Sequence, residues 1–247
     1  MIKLVKSTFY NELNIKKKLC NFLMSADKLS MNAKCSEFES KFSQYQEREY
    51  SVCFNSGSSA NLALIQSLMN LGIFSPQDKI GFSGLTWATN VMPLMQLGLN
   101  PIPLDISIDN LNVCSEHLSR ILKRTGLKAF FITNLLGFCG DLGRIAEICK
   151  NKKIILLEDN CESLGSAINN KKLGNFGIAS TFSFYVGHHM STIEGGMVCT
   201  DDKELYDMLL MVRSHGWDRN LTPSKKESLK KKHNINDFYS RYTFYFP

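Results

Sequence analysis

The sequence of 247 residues lacks any run of about 20 apolar residues, the length that a membrane-spanning helix needs. Its first residues also lack the long apolar core of a secretory signal peptide. Its eight cysteines stand singly, and no two of them have the CxxC spacing of a zinc or redox motif. We therefore expect a cytoplasmic protein with buried thiols, and neither a disulfide framework nor a metal site.

The chain also lacks a strong excess of charge or an unusual composition. Hydrophobic residues make up 44% and charged residues 21% of it, which excludes a disordered or collagen-like chain. The net charge of +6 suits a phosphate-bearing substrate but does not by itself indicate nucleic acid. The lysine-rich segment 225–233 is most simply a solvated loop or an exposed helix end. We expect neither a nucleic acid nor a membrane as a partner.

Short apolar segments alternate with helical periodicity from residue 50 onwards. The first fifty residues are predicted to be mostly helical, with Phe38, Phe42 and Tyr45 on one helix face. The segment 153–159 is apolar on both faces, which is typical of a strand in a parallel sheet. The sequence therefore predicts an α/β domain, in which a mostly parallel sheet carries helices on both faces. The predicted strands are 50–54, 79–82, 101–105, 128–134, 153–159, 181–185 and 196–200, and the predicted helices are 62–71, 86–97, 115–124, 142–150 and 203–213.

Three groups of polar residues follow predicted strands. Ser58 and Ser59 open the helix after the first strand, Asp159 ends the fifth strand, and His188 follows the sixth. Each group has an ordinary structural interpretation, such as a helix N-cap for the serines. In open parallel sheets, however, ligands bind at the carboxyl ends of the strands. A helix N-terminus at that edge presents free N–H groups, so the three groups together predict a site for an anionic ligand.

The segments around these residues resemble the DegT/StrS family, a family of sugar aminotransferases that use pyridoxal phosphate and have the aspartate aminotransferase fold (fold type I). The resemblance implies that residues 31–247 form the large, cofactor-binding domain and that residues 1–30 form a helical arm. The smaller C-terminal domain of the family would follow Pro247. Three segments resemble the nucleotide-sugar 3-dehydratase branch in particular. The family segments are 55–61, 85–90, 157–163, 183–184 and 194–197, and those of the branch are 158–163, 187–190 and 213–217.

The resemblance assigns the cofactor contacts to seven residues. It implies that Asp159 pairs with the pyridinium nitrogen and keeps it protonated, so that the ring can accept electrons. Trp87 would stack on the ring, and Glu162 would lie near the ring hydroxyl, where aminotransferases of the family often carry glutamine. The phosphate would be held by backbone N–H groups at a helix N-terminus and by one hydroxyl. These groups belong to Gly57, Ser58, Ser59 and Ser183.

One position departs from the aminotransferases of the family. Those proteins carry a lysine five residues after the serine that corresponds to Ser183, and this lysine holds the cofactor covalently; here the residue is His188. No lysine occurs between Lys172 and Lys203, so a shifted alignment does not restore one. We therefore expect pyridoxal 5′-phosphate or pyridoxamine 5′-phosphate to bind non-covalently, with His188 as the residue that takes and gives protons.

The resemblance implies a nucleotide-sugar 3-dehydratase that removes the C3 hydroxyl of a nucleotide-linked 4-keto-6-deoxyhexose in deoxysugar and O-antigen biosynthesis. The products would be a 3-deoxy-4-keto sugar and ammonia, with L-glutamate as the amino donor that recharges the cofactor. His189 is the alternative base, and His215 is assigned a supporting role near the site. A homodimer is expected, as in the family. An iron–sulfur cluster is not expected, because no cysteine follows Cys199 and cluster ligation takes four.

Two alternatives to the dehydratase are left open by the residues. An aminotransferase of the same family would need a lysine recruited from elsewhere in the chain. A catalytically incomplete fragment would only bind cofactor or a partner subunit, because part of the family's sugar pocket lies in the region after residue 247.

Overall fold

The computed structural model describes residues 9–247. Two helices precede the first strand, as expected: α1 (Glu12–Ser25), which buries none of its residues, and α2 (Ala33–Gln46). The predicted apolar face of α2 is real, since Phe42 is buried and its ring meets those of Phe182 and Phe184 at centroid distances of 5.1 and 5.2 Å. The domain boundary near residue 30 stays a prediction, and residues 1–8 of the expected arm lie outside the described residues.

Seven strands form one sheet, and the expected mostly parallel α/β arrangement is confirmed. The exception is β9 (Gly196–Thr200), which runs antiparallel to both of its neighbours, β1 (Tyr50–Phe54) and β8 (Ala179–Ser183). A separate two-stranded hairpin, β6 (Ala167–Ile168) and β7 (Lys171–Lys172), was not predicted. From one edge to the other, the sheet consists of β1 (Tyr50–Phe54), β9 (Gly196–Thr200), β8 (Ala179–Ser183), β5 (Ile155–Asp159), β4 (Ala129–Thr133), β2 (Lys79–Ser83) and β3 (Asn100–Leu104).

Helices cover both faces of this sheet and bury separate apolar clusters. The helices after β1 are α3 (Gly57–Asn70), α4 (Met92–Gln96), α5 (Ser115–Leu122), α6 (Leu142–Lys152), α7 (Lys203–Val212), α8 (Pro223–His233) and α9 (Asp237–Ser240). One cluster packs under α3 and α7 and includes Phe131 and Leu157, and the other packs under α5 and α6 and includes Phe130 and Leu156. Neighbouring strand residues thus alternate between the two clusters, as strand geometry requires.

The predicted helix at 86–97 is wrong. The segment contains a 3₁₀ turn (Ala88–Asn90) and then only the five residues of α4. The physical reason is Pro93, which has no N–H to donate to the carbonyl of Thr89 one turn earlier. That carbonyl instead accepts a hydrogen bond from Asn61 Nδ2 at 3.3 Å. The break in the helix therefore turns the 3₁₀ segment toward the start of α3.

The lysine-rich segment forms α8, whose first turn is capped by Thr222 Oγ1 and whose one buried residue is Leu229. This agrees with the exposed helix end that was one of the two interpretations of the sequence. No helix within residues 9–247 combines the length and the apolar character needed to cross a membrane.

Candidate active site

The start of α3 lies against the carboxyl end of β8. A side chain does not fit at Gly57, because a Cβ atom there would lie 2.7 Å from Ser183 Cβ and 2.8 Å from Cys161 Sγ. The structure therefore brings three predicted segments together: the helix start after β1, the end of β8 and the turn after β5. Only glycine allows this close approach of the helix backbone to the two side chains.

The first turn of α3 offers two free N–H groups. Ser56 caps the helix: its Oγ accepts the N–H of Ser59 at 3.1 Å and donates to Ser59 Oγ at 3.1 Å. The N–H groups of Gly57 and Ser58 have no hydrogen-bond partner within residues 9–247. Of the three N–H groups expected to bind a phosphate, that of Ser59 is thus already taken by the cap. Ser59 can still donate through its hydroxyl, and the helix end remains a favourable site for an anion.

Asp159 is buried at the carboxyl end of β5, with 4% of its surface exposed. Its Oδ2 atom accepts hydrogen bonds from Asn61 Nδ2 at 3.0 Å and from Asn90 Nδ2 at 2.7 Å. Its Oδ1 atom accepts the N–H of Cys161 at 2.9 Å. Three donors from three segments hold the carboxylate in one orientation. Oδ1 keeps a free lone pair, because a carboxylate oxygen can accept two hydrogen bonds.

Asn61 and Asn90 belong to the candidate site, and the sequence reasoning did not assign them to it. Both are fully buried, and Asn90 is itself held by Thr86 Oγ1, which lies 2.9 Å from Asn90 Oδ1 and 2.6 Å from Thr133 Oγ1. Two signals could have revealed them. Asn61 lies four residues after Gly57 and so on the same helix face, and Pro93 predicts the unpaired Thr89 carbonyl that Asn61 uses.

His188 lies in the loop between β8 and β9 and is half-buried, whereas its neighbour His189 is exposed. Its backbone N–H donates to the carbonyl of Tyr185 at 2.9 Å. Burial lowers the pKa of His188 below its ordinary value, and the charge of Glu162 partly opposes this shift. His188 is therefore neutral near pH 7, which is the form that can accept a proton. This difference in burial favours His188 over His189 as the base.

Two of the remaining predicted residues, Glu162 and Trp87, follow parallel strands that end at the same edge of the sheet. Glu162 follows β5, and its Oε2 atom accepts the N–H of Leu136 at 2.9 Å. Trp87 lies in the loop after β2 with 72% of its surface exposed, so its indole is free to contact a ligand. His215 is exposed after α7. The roles assigned to these three residues stay predictions.

The candidate site combines three groups: the N-terminus of α3, which carries a partial positive charge, the buried carboxylate of Asp159 and the neutral imidazole of His188. Free N–H groups and nearby hydroxyls suit a phosphate, and the oriented Asp159 carboxylate suits a protonated ring nitrogen. The thiol of Cys161 stays neutral, because burial and then the charge of Asp159 raise its pKa. The hydrogen-bond donors at the start of α3 thus fit the phosphate of a pyridoxal phosphate cofactor, and the acceptor Asp159 fits its ring nitrogen.

Comparisons with known proteins agree with this geometry. GDP-4-keto-6-deoxy-D-mannose 3-dehydratase of Yersinia pseudotuberculosis is 38% identical over 228 residues, which cover 91% of this chain and 57% of that protein. dTDP-4-dehydro-2,6-dideoxy-D-glucose 3-dehydratase of Saccharopolyspora spinosa is 31% identical and covers 79% of this chain and 43% of that protein. The chain therefore spans about half the length of the curated relatives it matches.

Solved structures show the same fold. A mutant GDP-4-keto-6-deoxymannose-3-dehydratase with bound GDP-perosamine superposes with a TM-score of 0.88 at 33% identity, covering 100% of this chain and 63% of the other. The Escherichia coli GDP-4-keto-6-deoxy-D-mannose-3-dehydratase with bound hydrated PLP gives 0.83 at 35% identity, covering 90% and 57%. The family model for DegT/DnrJ/EryC1/StrS aminotransferases matches residues 12–240. The resemblance seen in the sequence is confirmed: the chain belongs to the DegT/DnrJ/EryC1/StrS aminotransferase family.

Proposed function

We propose that this chain is a pyridoxal-phosphate-dependent 3-dehydratase that removes the C3 hydroxyl of a nucleotide-linked 4-keto-6-deoxyhexose. The observation that carries the proposal is His188, a half-buried neutral imidazole at the position where aminotransferases of the family carry the lysine that binds the cofactor. Two relatives named as nucleotide-sugar 3-dehydratases support the choice of reaction. An aminotransferase remains the second candidate, because relatives named GDP-perosamine synthase also match the chain at 29 to 33% identity.

The cofactor is held without a covalent bond. The N–H groups of Gly57 and Ser58 and the hydroxyl of Ser183 bind its phosphate, and Ser59 contributes its hydroxyl. Asp159 would accept the N–H of the ring nitrogen, and Glu162 and Trp87 would lie near the ring hydroxyl and the ring face. When bound, the amine form of pyridoxal phosphate supplies an electron sink that allows the C3 hydroxyl to leave.

His188 moves the proton. Its imidazole is neutral at the pH of the cell, so a ring nitrogen would accept the proton that the elimination releases. The same imidazole would then return this proton to the departing C3 hydroxyl, which leaves as water. An imidazole cannot hold the cofactor covalently as the primary amine of lysine does. The unsaturated amine product therefore hydrolyses to a 3-deoxy-4-keto sugar and ammonia.

Several partners belong to the same proposal. L-glutamate recharges the amine form of the cofactor, and the substrate carries its sugar on a nucleotide diphosphate, as the names of the relatives indicate for those proteins. A homodimer and a cytoplasmic location are part of the proposal.

The decisive experiment replaces each of the two neighbouring histidines by lysine in a separate variant. The chain is incubated with pyridoxamine phosphate, glutamate and a 4-keto-6-deoxy nucleotide sugar, and mass spectrometry follows the loss of the C3 oxygen. We expect His188→Lys to lose at least about 100-fold of the dehydration rate and to acquire a borohydride-reducible bond to the cofactor. The control, His189→Lys, should retain both the rate and the non-covalent cofactor.

Two results would contradict the proposal. A borohydride-reducible bond between the cofactor and a lysine of the wild-type chain would favour the aminotransferase. Cofactor binding by the wild-type chain without any loss of the C3 oxygen would favour the catalytically incomplete fragment.

A further inference from the structure

A second group of chemically reactive side chains lies between α2 and the edge of the sheet formed by β1 and β9. Cys35 and Glu39 extend from α2, and Cys53 extends from β1. The two thiol sulfurs and a carboxylate oxygen of Glu39 all lie within 4.8 Å of one another. Both cysteines are free thiols. The group belongs to the apolar cluster of Phe182 and Phe184, on the face of the sheet opposite the Asp159 site, and the proposed function does not use it.

Two methionine sulfurs adjoin the same thiols. Met31 Sδ lies 3.5 Å from Cys35 Sγ, and Met197 Sδ lies 3.7 Å from Cys53 Sγ. Cys53 and Met197 are opposite each other in the pairing of β1 with β9, so the sheet itself fixes their separation. Four sulfur atoms therefore lie in this region. Two come from α2 and the residues just before it, and two come from the strands β1 and β9.

An ion pair lies beside the two thiols. Glu39 Oε1 accepts hydrogen bonds from the guanidinium of Arg213 and from the backbone N–H of Cys53, the latter at 2.8 Å. Arg213 Nη1 also donates to the carbonyl oxygen of Cys53 at 3.3 Å. The ion pair therefore fixes a carboxylate beside the two sulfurs.

The separations match those of ligands around one small ion. A metal–sulfur bond to Zn²⁺ is about 2.3 Å, so two sulfur ligands lie about 3.7 Å apart in a tetrahedral site and at most about 4.6 Å apart in a linear one. The sulfur pairs at 3.5 and 3.7 Å agree with the first value. The two cysteine sulfurs lie within 4.8 Å of each other, so a small side-chain adjustment is enough for both to bind one ion. Thiolate and thioether ligands select soft ions such as Cu⁺ and Zn²⁺.

We propose that Cys35 and Cys53 form a binding site for a thiophilic d¹⁰ cation, Cu⁺ or Zn²⁺, with Met31 and Met197 as neighbouring sulfur ligands. The bound ion connects α2 to β1 and β9. Because the loop that carries His188 ends at Gly195 and leads directly into β9, which contains Met197, the ion also stabilises the strand that follows this loop.

The test is a titration of the full, reduced, metal-free chain under anaerobic conditions. Zn²⁺ is added in competition with a chromogenic chelator, and Cu⁺ is supplied as the complex of its own chromogenic chelator. We expect one ion per chain and a higher thermal midpoint when the ion is bound. Cys35→Ser should weaken binding at least about 100-fold, whereas Cys20→Ser, at an exposed cysteine of α1, should bind like the wild type.

The two ions are distinguished by Met31→Leu. This variant should weaken the binding of Cu⁺, which accepts thioether ligands, and leave the binding of Zn²⁺ unchanged. Cys35 is only partly buried, so Cys35→Ser keeps the fold, and its circular dichroism spectrum checks this. Equal binding by the wild type and Cys35→Ser would overturn the proposal, as would a wild-type chain that takes up neither ion at stoichiometric concentration.

Discussion

Glu158 and Asp159 are adjacent, buried acidic residues at the end of β5. The hydrogen-bond donors around their two carboxylates come from different parts of the protein. Glu158 accepts three backbone N–H groups from one loop, those of Gly174, Phe176 and Gly177, each at 2.7 Å. Asp159 accepts two side-chain amides and one backbone N–H from three separate segments. Burial raises the pKa of Glu158, while the backbone N–H groups of the loop oppose the shift.

The difference follows from the alternation of side chains along a strand. Glu158 points to the face where Arg48 binds the carbonyls of the same loop, whereas Asp159 points to the face of α3. One carboxylate therefore closes a loop and is fully used within the protein. The other is oriented by the protein and still has acceptor capacity for a ligand. Under the proposed function, these two adjacent acidic residues therefore serve stability and cofactor binding separately.

The largest effect on stability is expected from Glu158→Ala. The variant leaves one buried and two partly buried backbone N–H groups without an acceptor, and a fully buried group of this kind costs about 1–3 kcal/mol. We expect the free energy of unfolding to fall by about 3–5 kcal/mol, as measured by urea denaturation. If the fall were below about 1 kcal/mol, the loop at 174–177 would not depend on Glu158, and the contrast with Asp159 would be lost.

Asp159→Asn should show the opposite pattern. Because Asn keeps one acceptor oxygen for the amides of Asn61 and Asn90, the free energy of unfolding should fall by only about 1–2 kcal/mol. The ring nitrogen of the cofactor would lose its charged partner, so the dehydration rate should fall by about 10²–10³-fold. A variant with the wild-type rate would show that Asp159 does not serve the cofactor.

Much of this arrangement could be predicted from local patterns. The apolar run at 153–159 indicated a buried parallel strand, and the position of Asp159 at its end indicated a site at that edge of the sheet. The antiparallel direction of β9 could not be predicted, because the residues 196–200 read as a strand in either direction. Pairing with β1 on one side and β8 on the other depends on contacts far apart in sequence.

The contacts between segments were the part that the sequence did not reveal. Asn61 and Asn90 lie far apart along the chain and meet only because Pro93 breaks a helix and turns the 3₁₀ segment toward α3. In the same way, Cys35 and Cys53 stand singly in the sequence, and no spacing rule joins a helix thiol to a strand thiol. Local periodicity locates elements and their ends, whereas a site built from several elements needs the packed structure.

A smaller effect is expected from Asn90→Ala, which removes one of the two amides that orient Asp159. Asn61 still donates to the same oxygen, so we expect the dehydration rate and the cofactor affinity to fall by about tenfold, equal to about 1.4 kcal/mol. The affinity is measured by titrating pyridoxal phosphate and following its absorbance. Gln66→Ala is the matched control, because Gln66 bonds to Asn70 on α3 and has no contact with Asp159.

The smallest effect concerns the pH dependence of the rate. Burial holds the pKa of His188 below its ordinary value of about 6.5, so the rate should rise with pH along an acidic limb whose midpoint lies below pH 6.5. The charge of Glu162 raises this pKa, and Glu162→Gln removes the charge while keeping an oxygen for the N–H of Leu136. The variant should therefore move the acidic limb of the rate profile to lower pH by less than about one unit. A limb that moved to higher pH, or one that stayed in place in His188→Asn, would assign the titration to another group.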